Sequence, residues 1–183
     1  ACRRRAPPGP GRPSPLRGTG APSFRYELVD GQLLVSPVQR ADHQRAVMEL
    51  IRRIDPYVER HAIGELLPSP SDLDLFDGQR LQPDLFVIPI RKGWRFSDWP
   101  DAGIPWLAVE IASPETARAD RGIKRERYLA AGVPTYWVVD VDAARVEVST
   151  SEAPAPEVEK QRLRGHPIES IAPLEIDLVA FYE

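Results

Sequence analysis

Cysteine, methionine, lysine and histidine are all scarce in this chain. Cys2 is the one cysteine of 183 residues, which excludes an internal disulfide and a cysteine-built zinc site and fits a reducing compartment. No apolar run approaches the roughly 20 residues of a membrane-spanning helix. Aromatics make up 8%, and only three lysines (Lys92, Lys124, Lys160) stand among 24 basic side chains, so each lysine is a departure from an arginine habit. The 42% hydrophobic content is ordinary for a globular protein and enough for one real core.

Residues 1–22 differ in composition from the rest of the chain. They hold Arg3, Arg4, Arg5, Arg12 and Arg17, no acid, and many prolines and glycines. Such a composition predicts a disordered Arg/Pro-rich leader without the apolar stretch of a signal peptide, and a cytoplasmic protein. Of the 24 basic side chains five fall in this leader, which leaves 19 against 27 acidic, a net charge of −8 for the predicted domain, residues 23–183. That balance argues against coating DNA with a broadly basic surface.

Phe24–Val29 and Gln32–Ser36 flank Asp30-Gly31, a strong two-residue turn signal, and predict an N-terminal β-hairpin. Helical spacing of Ala46, Val47, Leu50, Ile51, Ile54, Tyr57 and Val58 predicts a helix from about His43, capped by Asp42, kinked at Pro56 and stopped at Gly64. Leu85–Ile88 and Trp106–Ile111 read as short buried strands, preceded by Glu65–Leu67, Leu73–Phe76 and an Asp77-Gly78 turn. Residues 89–105 form an irregular connection carrying Arg91, Lys92, Trp94, Arg95 and Trp99; the tryptophans anchor it on the core or stack on bases. Ser113, Pro114 and Glu115 mark a helix start and Gly132 its end. Val133–Val141 and Arg145–Val148 then hairpin together, residues 151–160 read as a loop, and Leu174–Phe181 as a short strand or packing segment. The order predicts an α/β layer fold with a mixed sheet flanked by helices.

Two acids stand on those buried runs, Asp84 after Gln82-Pro83 and Glu110 after Val109. An unpaired carboxylate there is expensive, and two together can hold a divalent metal. Lys124, fourteen residues after Glu110, shares a helical stripe with Asp120 and Tyr128. The plain alternatives are acids solvated at strand ends and a surface Lys124–Asp120 pair. Ser113 reads as a helix cap because no base is paired with it, and His61 and His166 as surface residues. Arg118, Arg121, Arg125 and Arg127 cluster around Lys124, as a phosphate-contacting or simply solvated face.

From Tyr26 to Tyr182 the chain resembles the Uma-type restriction endonucleases of the PD-(D/E)XK nuclease superfamily. The resemblance rests on an ordered set: Tyr26-Glu27-Leu28-Val29-Asp30-Gly31, His43, Gln82-Pro83-Asp84, Val109-Glu110-Ile111-Ala112-Ser113-Pro114-Glu115-Thr116, Asp120, Lys124, Tyr128 and Ala131-Gly132-Val133-Pro134-Thr135-Tyr136-Trp137-Val138-Val139-Asp140. It implies a restriction-endonuclease-like central sheet with Mg²⁺ (or Mn²⁺) held by Asp84 and Glu110, the Ile111 carbonyl completing the shell. The superfamily's usual lysine position is Ala112 here, and the resemblance transfers that role to Lys124. Glu27 and His43 are auxiliary candidates. The expected activity is DNA phosphodiester hydrolysis, by a homodimer and away from any membrane. The competing expectations are a nuclease-fold protein that binds nucleic acid or a protein without cutting, and a hydrolase of another phosphoester.

Overall fold

The computed structural model describes residues 24–37, 39–76, 79–90, 96–98, 101–165 and 170–183. The predicted leader, the Asp77-Gly78 turn, Arg91, Lys92, Trp94, Arg95, Trp99 and His166 lie outside these residues.

The chain begins with the hairpin read from sequence, β1 (Phe24–Val29) and β2 (Gln32–Pro37), paired antiparallel from Phe24–Pro37 to Val29–Gln32. Asp30 and Gly31 both adopt positive φ, 50° and 69°, the backbone twist that a two-residue hairpin turn needs. With β4 (Leu73–Phe76) and β5 (Gln79–Leu81) the hairpin forms a four-stranded sheet, in the order β2-β1-β5-β4.

The central sheet has six strands ordered β10-β9-β8-β7-β6-β3. They are β3 (Gly64–Pro68), β6 (Leu85–Pro89), β7 (Leu107–Ile111), β8 (Thr135–Asp140), β9 (Arg145–Thr150) and β10 (Glu157–Glu159). Only β7 and β8 run parallel; the other pairings are antiparallel. Side chains alternate across the sheet. Leu107, Val109, Ile111, Trp137 and Val139 join Leu50, Ile54 and Val58 of α1 (Ala41–His61) in the main core. On the opposite face Ala108, Tyr136 and Val138 pack with Tyr128, Val133, Val29 and Leu81. A mixed central sheet, few helices and an N-terminal strand pair are thus the architecture, as the sequence predicts.

Several local readings need correction. Arg40, not Asp42, stands at the N-cap of α1 and makes no side-chain cap bond, while Asp42 in the first turn pairs with Arg45 at 2.5 Å. The helix runs through Pro56 to His61, because its buried face outlasts the one donor that proline removes. Ala62 (φ 50°), not Gly64, supplies the left-handed stop. Gly64 opens β3 instead, where an added Cβ would lie 2.7 Å from both the Ile88 carbonyl oxygen and Val87 Cγ1. His61 is half-buried, its ring 4.7 Å from that of Tyr57.

The helix after β7 is not continuous. Ser113 and Thr116 bond reciprocally, the Thr116 N–H donating to Ser113 Oγ at 3.2 Å and the Ser113 N–H to Thr116 Oγ1 at 3.1 Å. Helix α2 (Ala117–Ala119) comes next, then a π-helical turn (Asp120–Lys124) with non-helical Gly122, then α3 (Arg125–Ala130). Part of the 151–160 loop is also a strand: β10 pairs with β9, whose open edge decides the conformation of a short segment with little propensity of its own. β11 (Arg162–Gly165) pairs with β12 (Leu174–Asp177), and α4 (Leu178–Tyr182) closes the fold with Asp177 as its N-cap.

Candidate active site

Asp84 sits one residue before β6 and is fixed from both sides by its backbone. Its N–H donates to the Val109 carbonyl at 3.0 Å and its own carbonyl accepts from Ser69 N–H at 3.1 Å. The buried carboxylate accepts from Ile111 N–H at 2.8 Å, pairs with His43 Nε2 at 2.9 Å and receives Arg25 Nη1 at 2.6 Å. Burial alone raises its pKa, but the His43 hydrogen bond and the Arg25 charge outweigh it, and the carboxyl is pulled down to about 2.

Glu110, on the face of β7 opposite the α1 core, is also buried. Its Oε1 lies 2.7 Å from Lys124 Nζ and accepts the Tyr128 hydroxyl at 3.1 Å; its Oε2 is 3.6 Å from Arg25 Nη2. Burial raises its pKa well above the ordinary carboxylate range, and nearby Asp84, Asp120 and Glu27 add to the rise against the opposing pull of Lys124.

Lys124 reaches back from the broken helix into this space. Besides Glu110 it contacts Glu27 at 3.0 Å and Asp120 at 3.3 Å, and the contact with Asp120 is buried rather than on the surface. Burial favours the neutral amine, yet the three carboxylates overcome that cost and hold the ammonium charged. The π-helical turn carries both buried ends of the pair, Asp120 and Lys124. Asp120 is itself raised, first by burial, and its backbone carbonyl accepts the Tyr136 hydroxyl at 2.8 Å. Glu27 is pinned by the Gln82 N–H at 2.9 Å.

The structure therefore brings Asp84, Glu110, Lys124, Glu27 and His43 into one buried cluster, together with two residues that the sequence reading did not assign to the site. One is Asp120. The other is Arg25, whose guanidinium lies among Asp84, Glu27 (3.5 Å) and Glu110. The signal for Arg25 was its place on β1 beside Glu27 and Val29, on the face that alternation turns inward. The arginines of the broken helix divide. Arg121 is spanned by Asp140 at 2.5 Å and Glu147 at 2.8 Å, and Arg127 bonds to Asp30. Arg118 is exposed and Arg125 half-buried.

Two narrow clefts flank the cluster. One of about 70 Å³ is lined by Glu27, Ser36, Glu115, Asp120 and Lys124. The other, of about 40 Å³, is lined by Arg40, His43, Ile111, Ala112 and Ser113.

Among the described residues no three His, Cys, Asp or Glu side chains converge as a metal cluster. The donor chemistry nevertheless suits a hard divalent cation that keeps most of its own waters. Four buried carboxylates (Glu27, Asp84, Glu110, Asp120) face two cations, Arg25 and Lys124, so the fully ionised cluster has negative charge in surplus, and the raised Glu110 and Asp120 would release their protons to make room for a bound cation. Arg25 offsets it imperfectly: it is hydrogen-bonded to Asp84 through Nη1, while its buried Nε and Nη2 lack hydrogen-bond partners. Asp120 Oδ1 is buried with the Lys124 ion pair as its contact, and His43 Nδ1 is buried without a hydrogen-bond partner.

Comparison with known families and structures places these observations in a class. The family model described as "Uma2: Putative restriction endonuclease" matches residues 16–178. A solved structure described as a putative nuclease belonging to DUF820, from Anabaena variabilis ATCC 29413, superimposes with a TM-score of 0.70 at 17% identity, over 86% of this chain and 89% of that one. Comparison with curated proteins returned no match.

Proposed function

Because the chain belongs to the Uma2 restriction-endonuclease family, we propose that it is a metal-dependent endonuclease that hydrolyses DNA phosphodiester bonds at the Asp84–Glu110–Lys124 cluster. The observation that carries this reading is the buried contact of an ammonium with a carboxylate-rich cluster whose charge surplus two cations leave unmatched. Asp84 and Glu110, with the Ile111 carbonyl, are the residues that would hold Mg²⁺ or Mn²⁺. Such an ion polarises a scissile phosphate and lowers the pKa of bound water.

The protein's own groups supply the rest. Lys124, held charged by three acids, offers a positive charge to the phosphate as negative charge builds in the transition state. Glu27 and Asp120 keep that ammonium at the site. In the tautomer that donates Nε2–H to Asp84, His43 Nδ1 would be the acceptor for a proton from the attacking water or an adjoining group. Arg118 and Arg125 are the available arginines for strand contact, since Arg121 and Arg127 already serve acids of the protein itself.

The test is incubation of wild type, Asp84→Asn and Lys124→Ala with plasmid DNA in Mg²⁺ or Mn²⁺. Each substitution should reduce nicking by about 10²–10³-fold, the usual loss when one transition-state contact is removed. Equal cleavage by all three proteins rejects the site.

The seat of Arg25 favours a second reading, a nuclease fold that binds nucleic acid or a partner without cutting. Its support would be retention of DNA by wild type and Asp84→Ala alike, with no cleavage by wild type in either metal.

A further inference from the structure

The hairpin that carries Arg25 and Glu27 inward has an outer face of unusual composition. Strand alternation sends Phe24, Tyr26 and Leu28 of β1 outward, and across the ladder Tyr26 stands opposite Val35 and Leu28 opposite Leu33. A solvated hairpin face is ordinarily polar. Here Phe24 is 44% exposed, Tyr26 55%, Leu28 39%, Leu33 62% and Val35 50%. The face continues over β5 and β4 as a shallow groove in which Asp72, Asp74 and Arg80 lie beside Tyr26, Leu28 and Leu33. One half of the sheet surface is thus apolar and the other half charged.

We infer that this face is the contact through which two copies of the chain associate, packed hairpin against hairpin about a two-fold axis. Three observations select a second copy. The five side chains expose roughly 450 Å² of largely apolar surface, the size of the largest patch on a typical protein, which is often a functional one. A standard interface covers about 800 Å² on each partner, a little over half of it apolar, and the hairpin face meets that requirement. The charged margin carries both signs, Arg80 against Asp72 and Asp74, so an identical face brought up to it meets no uniform like charge. Nucleic acid fits poorly, because the groove is lined by three acids (Glu27, Asp72, Asp74) and one arginine, and a phosphate backbone gains little there. β2 is also the open edge of its sheet, which a two-fold copy would shield.

This association uses the same two strands as the buried cluster, on their other side. It does not depend on the nuclease reading, and its measurement of mass needs neither metal nor DNA. Sedimentation equilibrium of the full chain in EDTA, over roughly 1 to 100 µM, should give twice the 20.5 kDa chain mass at the upper end. Leu33→Glu/Val35→Glu should weaken the dissociation constant at least about 100-fold, with an unchanged circular-dichroism melt at a dilution where both proteins are monomeric. Met48→Glu, which places a charge at an exposed apolar site on α1 (48% exposed), should leave it unchanged. Hydrogen exchange of the wild type gives a variant-free check: amides of residues 24–37 should slow with protein concentration while those of α1 do not. A monomer at every concentration overturns the inference, as does a dimer indifferent to the double substitution or equally sensitive to Met48→Glu. A wild-type monomer whose double variant loses DNA retention would overturn it too, and would assign the face to nucleic acid.

Discussion

Glu110 and Asp84 are carboxylates of one cluster displaced in opposite directions, and the difference lies in their donors. Asp84 has three hydrogen-bonding partners, one of them an arginine, and stays ionised down to about pH 2. Glu110 has Lys124 and a tyrosine hydroxyl against three neighbouring acids. A carboxyl raised in the folded state binds its proton more tightly there than in the unfolded chain. Its effect on stability is therefore neutral below the unfolded pKa and grows more unfavourable as pH rises from there through the folded pKa. In EDTA, Glu110→Gln should raise the melting temperature at neutral pH, and the gain should shrink as pH falls toward about 4.5. Thermal melts at several pH values check this; a gain that grows on acidification would mean the surplus charge resides elsewhere. Asp84 behaves oppositely: the stability it contributes above its ordinary pKa is lost as pH falls toward 2. At this scale the sequence exposed the acids and the rare lysine because each contradicted its surroundings. Arg25 escaped notice because arginine is common in this chain, and only the hairpin's position over the sheet turns its inward face into part of the site.

At the scale of elements, the two ends of the turn between α1 and β3 have exchanged the roles that their residue types suggest. Ala62 takes the positive φ and Gly64 takes the close approach. Ala62→Gly should therefore stabilise the fold by about 0.5–1 kcal/mol, because glycine carries no Cβ penalty in that conformation. Gly64→Ala should cost about 1–3 kcal/mol, as overpacking against backbone commonly does. Denaturant midpoints at constant m-value would separate the two, and a neutral Gly64→Ala would mean that β3 can move away from β6. Strands whose side chains alternate or are wholly apolar, such as β1, β6, β7 and β8, were legible because burial imposes that pattern. β10 and β11 were not, since their pairing partners rather than their own residues make them strands. The break in the helix after β7 was equally hidden: Asp120, Lys124 and Tyr128 share one stripe whether the backbone between them is α-helical or opens into a π turn.

For the molecule as a whole, the proposed metal site would give divalent cations a route to stabilise the fold, apart from any cleavage. Binding only to the folded state adds about 2.7 kcal/mol at a ligand concentration 100 times the dissociation constant. Mg²⁺ or Mn²⁺ should accordingly raise the melting temperature of the wild type and not that of Asp84→Asn, measured by scanning calorimetry without DNA. Equal shifts in both proteins would assign the ion to another site. No helix among the described residues is long and apolar enough to cross a membrane. The same site also has a spectroscopic consequence. Ile111 belongs to the innermost strands of the sheet, yet its N–H is spent on the Asp84 carboxylate rather than on a neighbouring strand. That amide is a voltmeter wired to the site: its proton resonance should move whenever the charge on Asp84 is shared with a new occupant, before any bond in a substrate is broken.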